Sequence, residues 1–286
     1  MRFKSKLWAA VAAVSLASAG AVASADENAR NLDELFVWLA SGEQAFINDA
    51  PRVIGFTDQS IGVYAAHLAA TWQDDTLRGY LSERLAPVAR FEADGSVDIG
   101  SFEDVIALMP LALSAKGDYG VLRLLPSQKG TYARALHSAF RVEAEKGVEA
   151  CLAANRTDFG ARREDLYAAA RHKFTLMKNM HPKVLHAYLQ VQRAAAREEL
   201  GTSEAAVILS QAELDQAFSH IDPVLDRLAA DHPNAQKIND FWYNDLEDKV
   251  TECDVYRLDW QVLDELEDEA LGLASHYYIE LFLGVH

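Results

Sequence analysis

Apolar residues recur every three or four positions along most of the chain, which is the spacing of amphipathic helices. One such stripe near the start combines Leu32, Leu35, Phe36 and Leu39. Residues at this spacing share one face of a helix, and that face needs a partner to cover it. Three longer stripes follow: Leu166-Ala170-Phe174-Met177-His181, Leu214-Phe218-Ile221-Leu225-Leu228 and Leu263-Leu266-Ala270-Leu273-Tyr277. The pattern predicts an all-α fold, a multi-helix bundle of roughly nine to eleven helices with little or no sheet.

Local signals predict where some of these helices begin and end. Ser210 and Glu213 have the spacing of a capping box. The pair His181-Pro182 predicts that one helix ends and the next begins there. Asp222-Pro223 predicts either a second helix start or a kink within the stripe through Ile221. Strand-like alternation is confined to two short runs, residues 52–56 and 121–125.

The first 25 residues have the three parts of a secretory signal peptide. Basic residues at positions 2, 4 and 6 precede an uncharged run over 7–23, and Ala23-Ser24-Ala25 is a small-x-small cleavage site. An uncleaved membrane anchor is the alternative, since about 17 uncharged residues is the lower limit for a span. We predict cleavage after Ala25, a periplasmic or secreted protein, and a mature chain that is soluble because no later stretch resembles a transmembrane segment.

Cys151 and Cys253 are the two cysteines of the chain. In an exported protein an even pair favours a disulfide, and the spacing matches no zinc or haem motif. We therefore predict a Cys151–Cys253 disulfide. It would join an N-terminal helical half, residues 26–155, to a C-terminal half, residues 156–286, and so favours one compact unit.

Charge is unevenly distributed along the 286 residues. The chain has 27 basic and 43 acidic residues, a net charge of −16, which argues against general nucleic-acid binding. Loss of the signal peptide removes three bases and leaves a net −19. The acidic segment, residues 240–286, holds 13 acids and two bases, whereas the basic segment, residues 156–197, holds nine bases and three acids.

Three interpretations of the acidic segment are open. Asp245, Asp248 and Glu252 share one helical face and could bind a divalent cation or a cationic partner. The same residues could form a solvated helix face. The segment could instead lie beside the basic segment, where each would offset the other's self-repulsion.

A second candidate metal site lies in the run from Glu92 to Glu103. Asp94, Gly95, Ser96 and Glu103 stand where a calcium loop has its ligands and turn, and the run resembles the EF-hand family over about 18 residues. It departs from that family at Glu92, which replaces an aspartate, and at Val97, which replaces a glycine. A plain turn or small hairpin at Asp94-Gly95, leading to a helix capped by Ser101, explains the same residues.

Soft ligands and a basic cluster complete the binding candidates. Met177, Met180 and His181 lie within one helical turn, with His172 nearby, and could bind Cu(I). A core methionine beside a histidine is the alternative. A cluster of bases could bind an anion or could pair with the acidic segment. Its members are Arg162, Arg163, Arg171, Lys173 and Lys178.

Aromatic residues gather near the end of the chain, in Phe241-Trp242-Tyr243 and in Tyr277-Tyr278 with Phe282. They could anchor a protein partner or fill the core.

The chain contains no nucleophile-elbow, dinucleotide, P-loop or zinc-protease motif, so catalytic residues are unknown and no cofactor or metal is predicted. We expect an exported, non-enzymatic helical protein that binds a partner, either a protein or another envelope component, or that is a structural element of the cell envelope. Two alternatives remain: a carboxylate-based hydrolase acting on envelope polymer, and a periplasmic metal-binding protein. An apolar surface patch on a closed bundle would favour a partner.

Overall fold

A computed structural model describes residues 22–41, 55–92, 96–156, 163–205, 207–244 and 248–283. Within these ranges the chain forms twelve α-helices and no strand, so the all-α bundle is confirmed, with slightly more helices than predicted. The helices are α1 (Val22–Ala40), α2 (Asp58–Gln73), α3 (Asp75–Leu85), α4 (Ile99–Gly120), α5 (Pro126–Ala144), α6 (Val148–Ala154), α7 (Arg163–Asn179), α8 (Pro182–Leu200), α9 (Gln211–Ala230), α10 (Ala235–Tyr243), α11 (Lys249–Glu265) and α12 (Asp268–Leu283).

The predicted apolar stripes form the core. Leu32 and Phe36 of α1 are fully buried, and the Phe36 ring stacks on Trp72 of α2 with centroids 5.3 Å apart. Burial of an aromatic or leucine side chain contributes about 1.5–3 kcal/mol, so such pairs stabilise the bundle strongly. This main core joins α1, α2, α3, α4, α5, α7 and α8, and Ile279 of α12 belongs to it as well.

Helix α5 links the main core to a second one. On one side its Ala135 and Ala139 belong to the main core. On the other side Ala133 contacts a cluster that α9, α11 and α12 build around Ile221 and Val262. Helix α12 likewise contributes Ile279 to the main core and Ala274 to the second cluster, so α5 and α12 together connect the two cores.

Two predicted boundaries are confirmed. Ser210 Oγ accepts from the Glu213 amide at 3.4 Å, and the Glu213 carboxylate accepts from the Ser210 amide at 2.8 Å, so the capping box begins α9. Helix α8 begins at Pro182 with His181 as its N-cap, and α7 ends at Asn179.

Other local predictions need correction. Asp98, not Ser101, caps α4: its carboxylate accepts from the Ser101 amide at 2.8 Å. Pro223 lies inside α9, so of the two alternatives for Asp222-Pro223 the second helix start is wrong. Residues on both sides of Pro223 pack on α11 and α12, which offsets the backbone hydrogen bond that a proline removes. The run 121–125 contains a 3₁₀ turn, Val121–Arg123, rather than a strand. Residues 52–54 of the other strand-like run lie outside the described residues.

The expectation that no later stretch resembles a transmembrane segment also needs correction. The stretch Gly100–Arg123, which includes most of α4, is long and apolar enough to cross a membrane. In the fold, 72% of that apolar window is buried against other helices. The packing of α4 between α7 and α8 accounts for its apolar composition.

Candidate functional site

The structure supports the predicted disulfide between Cys151 of α6 and Cys253 of α11. Their Cα atoms are 5.9 Å apart, within the usual range for a disulfide, and both residues are buried beside Phe140 and Ala144 of α5. The bond closes a separation of 102 residues. It therefore holds α6 and α11 together on the same side of α5.

The residues of the proposed acidic cation site have other partners. Asp248 is the N-cap of α11 and accepts from the Thr251 hydroxyl at 2.6 Å, which lowers the pKa of its carboxyl group. Glu252 accepts from the Tyr256 hydroxyl at 3.0 Å. Asp245 lies outside the described residues. Among the residues that the structure describes, no group of three or more His, Cys, Asp or Glu side chains could hold a metal ion.

The structure describes only part of the candidate calcium loop, Glu92 to Glu103. Residues 93–95 lie outside the described part. Phe91 and Val97 form an isolated antiparallel bridge, and the Glu92 amide donates to the Ser96 carbonyl at 2.8 Å. These contacts are typical of the small hairpin that was the alternative explanation of this run.

The copper candidate is divided between core and surface. Met177 and Met180 are each 2% exposed and belong to the main core. His181 is exposed, and its Nδ1 atom accepts from the Lys183 amide at 3.3 Å. The methionines therefore serve packing and the histidine serves as a helix cap.

Of the basic cluster, Lys173 is directed inward to a buried polar network. Its Nζ atom donates to Asp118 at 2.9 Å, and the Tyr132 hydroxyl donates to the same carboxylate at 2.5 Å. Burial disfavours the ammonium charge, but Asp118 outweighs it and raises the pKa of Lys173. Arg171 is exposed, whereas Arg162 and the side chain of Arg163 lie outside the described part of the chain. Lys178, half-buried, points its side chain toward Gly55. The described members of the cluster thus point in different directions and form no common anion clasp.

The helices of the acidic segment and those of the basic segment pack mainly against different helices. Helices α7 and α8 pack against α4 and α5, whereas α11 and α12 pack against α5 and α9, so α5 is the element that both segments share. Within the described ranges, several ion pairs connect one of the two segments to other parts of the chain, and Arg257–Asp254 lies inside the acidic segment. The pairs to other parts of the chain include Lys173–Asp118, Arg197–Asp74, Arg227–Glu265, Lys249–Glu149 and His137–Asp264.

Most of the aromatic residues near the end of the chain are packed. Phe241 and Trp242 are half-buried against α11, and Tyr277 and Tyr278 contact the second core. Tyr243 is 76% exposed. The side chain of Phe282 lies outside the described residues.

A groove with a charged wall runs along the outer face of α8. It is open to solvent and has a volume of about 630 Å³, with α2 and α3 on one side and α5 on the other. Arg193 and Arg197 of α8 and Asp74, the N-cap of α3, form its charged wall. Arg193 donates to Nδ1 of His67 at 2.8 Å. Burial, and then the charge of Arg193, lower the pKa of His67 to about 3, so this imidazole is neutral.

A second buried polar group connects α5, α12 and the segment before α9. Lys129 Nζ lies 2.8 Å from His276 Nδ1, and His276 Nε2 lies 3.0 Å from the Val207 carbonyl. The fully buried Glu280 accepts from the Leu209 amide at 2.7 Å. Burial is the main cause of the lowered pKa of both Lys129 and His276. These bonds hold residues 207–209 along α12.

The apolar edge, which we define as Leu125, Val207, Ile208 and Leu281, lies beside this polar group. The exposed fractions of these residues are 67%, 53%, 50% and 45% respectively. Backbone contacts place Leu125 and the 207–208 pair along α12, the helix that contains Leu281: Pro126, which follows Leu125, lies against Gly272, and the 207–209 segment lies against His276 and Glu280. Residues 272, 276 and 280 occupy successive turns of one helix face, about 6 Å apart.

Two acidic side chains of α11 have features of catalytic groups. Burial raises the pKa of Asp259 to about 7. Asp264 lies 3.0 Å from Nδ1 of His137, whose ring is parallel to that of Trp260. Neither carboxyl group lines the groove along α8.

The groove, the apolar edge and the buried polar groups were not predicted from the sequence. Their residues are far apart in the chain: 126 residues separate His67 from Arg193, and 147 separate Lys129 from His276. The local sequence feature that could have indicated the apolar edge is the apolar pair Val207-Ile208, which lies in a short segment between two predicted helices. No protein-family model, curated protein or solved structure matches the chain.

Proposed function

We propose that this chain is an exported, non-enzymatic helical protein of the cell envelope that binds a protein partner through the apolar edge. The observation that supports this function is the exposure of four large apolar side chains that belong to α12 or to the segments packed on it. Grouped apolar side chains on the surface are typical of protein interaction sites, whereas scattered ones are normal.

The position of the edge is fixed by buried charged groups. His276 and Glu280 bind the backbone of residues 207–209, and Lys129 contacts the His276 ring from the other side. That segment therefore has a defined conformation although the side chains of Val207 and Ile208 are exposed. A preformed surface loses less conformational entropy when it binds a partner than a flexible one does. This arrangement therefore suits a recognition surface.

Export rests on the signal-like N-terminus and on the disulfide. Cleavage after Ala25 would remove the first four residues of α1. Asn28 donates to the Ala89 carbonyl at 3.1 Å, and Leu32 and Phe36 are in the core. The mature chain would thus keep the packing of this helix.

The partner is tested by co-isolation from the producing cells with the protein at its native level. We expect a partner to be isolated with the wild-type protein and lost with L125S/I208S. Serine is a favourable N-cap residue, so Leu125→Ser should preserve the start of α5. The matched control is Val250→Ser, which removes a side chain that is 46% exposed on α11.

Loss of the partner in both variants, or in neither, would contradict the assignment of the edge. Export is tested separately by N-terminal sequencing of the purified protein. We expect Asp26 as the first residue, and a protein that retains Met1 would contradict cleavage.

A carboxylate-based hydrolase is a second candidate, which the raised pKa of Asp259 favours. A carboxyl group with a pKa of about 7 is half protonated at neutral pH and can act as a general acid. This candidate predicts that D259N abolishes hydrolysis of envelope polymer by the purified protein. No hydrolysis by the wild-type protein would contradict it.

A further inference from the structure

The groove along α8 has the size and lining of a small-molecule site. Its volume of about 630 Å³ lies within the range of roughly 300–1,000 Å³ that is common for ligand sites. Ala187, Val191 and Ala194 of α8 form its floor, and Ala70 and Leu77 extend the apolar lining across α2 and α3. This surface suits the apolar body of a ligand.

The charge at the groove favours an anion. Asp74 is the acidic residue of the lining, and its Oδ1 atom already accepts from the amides of Thr76 and Leu77 at 3.0 and 3.1 Å. Its Oδ2 atom lies 3.4 Å from Arg197. The guanidinium groups of Arg193 and Arg197 therefore have one carboxylate nearby, that of Asp74, and both of its oxygens already have partners.

Arg193 is the central residue of this charged wall. It is half-buried, and its short hydrogen bond goes to the neutral ring of His67 rather than to an acid. Burial lowers the pKa of Arg193, and the nearby Asp74 only partly opposes that effect. Guanidinium has five N–H donors arranged to fit a carboxylate, so Arg193 has donors beyond the one that His67 accepts.

We propose that the groove binds a small organic carboxylate, with its carboxylate on Arg193 and Arg197 and its apolar body on the alanine-rich floor. This site is separate from the apolar edge, and its test does not depend on the partner proposed above. A second role of the arginines, to hold α2 and α3 on α8, is compatible with the binding site. The variants below separate the two roles.

The test uses the purified full-length mature protein and three probes in titration calorimetry. Octanoate has both the charge and the apolar body, octanamide lacks the charge, and acetate lacks the body. We expect saturable 1:1 binding of octanoate. We expect binding of octanamide and of acetate to be at least about tenfold weaker, because each loses one of the two contacts.

Two variants localise the site. Arg197→Gln removes an exposed charge at the groove, and Ala194→Phe fills the floor without changing charge. Each should weaken octanoate binding by about tenfold or more. The matched control is Arg171→Gln, which removes an exposed charge on α7. A circular dichroism spectrum and melting curve like those of the wild type confirm that each variant is folded.

Three results would overturn the proposal. The first is no saturable binding of octanoate to the wild-type protein. The second is equal binding of octanoate and octanamide. The third is unchanged octanoate affinity in both folded variants, R197Q and A194F.

Discussion

The buried neutral His67 predicts a specific loss of stability in acid. Its pKa is lowered from 6.5 to about 3 in the folded protein because the ring is buried and lies beside Arg193. An unfolded chain binds a proton at this residue below pH 6.5, whereas the folded chain does not until pH 3. Stability is therefore lost as pH falls from 6.5 toward 3, and the contribution is intact above 6.5.

The magnitude follows from the size of the pKa shift. Each unit between the pH and the unfolded pKa costs about 1.36 kcal/mol, so at pH 5.0 His67 lowers the free energy of unfolding by about 2 kcal/mol relative to pH 7.5. Near pH 3 the loss approaches about 5 kcal/mol. This one residue thus accounts for a large fraction of the total stability of a typical domain.

His67→Gln is the informative change, since the Gln oxygen can accept from Arg193 and does not titrate. Urea unfolding at pH 7.5 and 5.0 gives the pH-dependent loss for each protein. We expect the decrease in the free energy of unfolding between pH 7.5 and pH 5.0 to be about 2 kcal/mol smaller for H67Q than for the wild type. His186→Gln, at an exposed position of α8, is the control. Equal losses in wild type and H67Q would refute the reasoning.

Three further predictions concern the disulfide, the buried ion pair and a close helix contact. C151A/C253A should lower the free energy of unfolding, measured in urea, by about 2–5 kcal/mol. A reducing agent should have no further effect on this variant. A urea midpoint equal to that of the wild type would contradict the prediction. Lys173→Met should lower the free energy of unfolding by about 3–5 kcal/mol, because it leaves the buried Asp118 carboxylate without its cation. The double variant K173M/D118N should recover part of that stability. Equal losses of stability in the single and double variants would show that the two residues are not coupled. In the wild type the contribution of Lys173 is present below its unfolded pKa and should disappear as pH rises above its raised pKa. Gly272→Ala should lower the free energy of unfolding by about 1–3 kcal/mol, because its new methyl group would clash with Pro126. Gly62→Ala, whose methyl group would point into open space on α2, should raise it by about 0.5–1 kcal/mol. A melting temperature that is higher for G272A than for G62A would contradict the packing of α5 on α12.

The fold was largely predictable because its main signals are local. The stripe of Leu32, Phe36 and Leu39 and the Ser210–Glu213 capping box each involve residues within two helical turns. The helix count was too low because short helices such as α6 and α10 have too few turns to show a periodicity. Asp222-Pro223 left open whether this stretch is two helices or one kinked helix, and the structure has one helix because residues on both sides of Pro223 pack on α11 and α12.

The functional surfaces were less predictable because they depend on contacts between distant segments. Nothing near His67 in the sequence indicates that Arg193 will lie against its ring. Likewise, Val207 and Ile208 become part of an edge only when Lys129 and His276 hold their segment on α12. The charge pattern did locate Lys173 in a basic segment, but not its partner Asp118 on α4.

The most direct test of partner binding is site-specific photo-crosslinking in the producing cells. A photoreactive phenylalanine derivative is placed singly at Leu125 and Ile208 on the apolar edge, and at Trp38 and Val250 on other exposed surfaces. We predict that both edge positions crosslink to the same protein and that the two control positions do not. Absence of a crosslink from the edge, or the same crosslink from all four positions, would contradict the central claim.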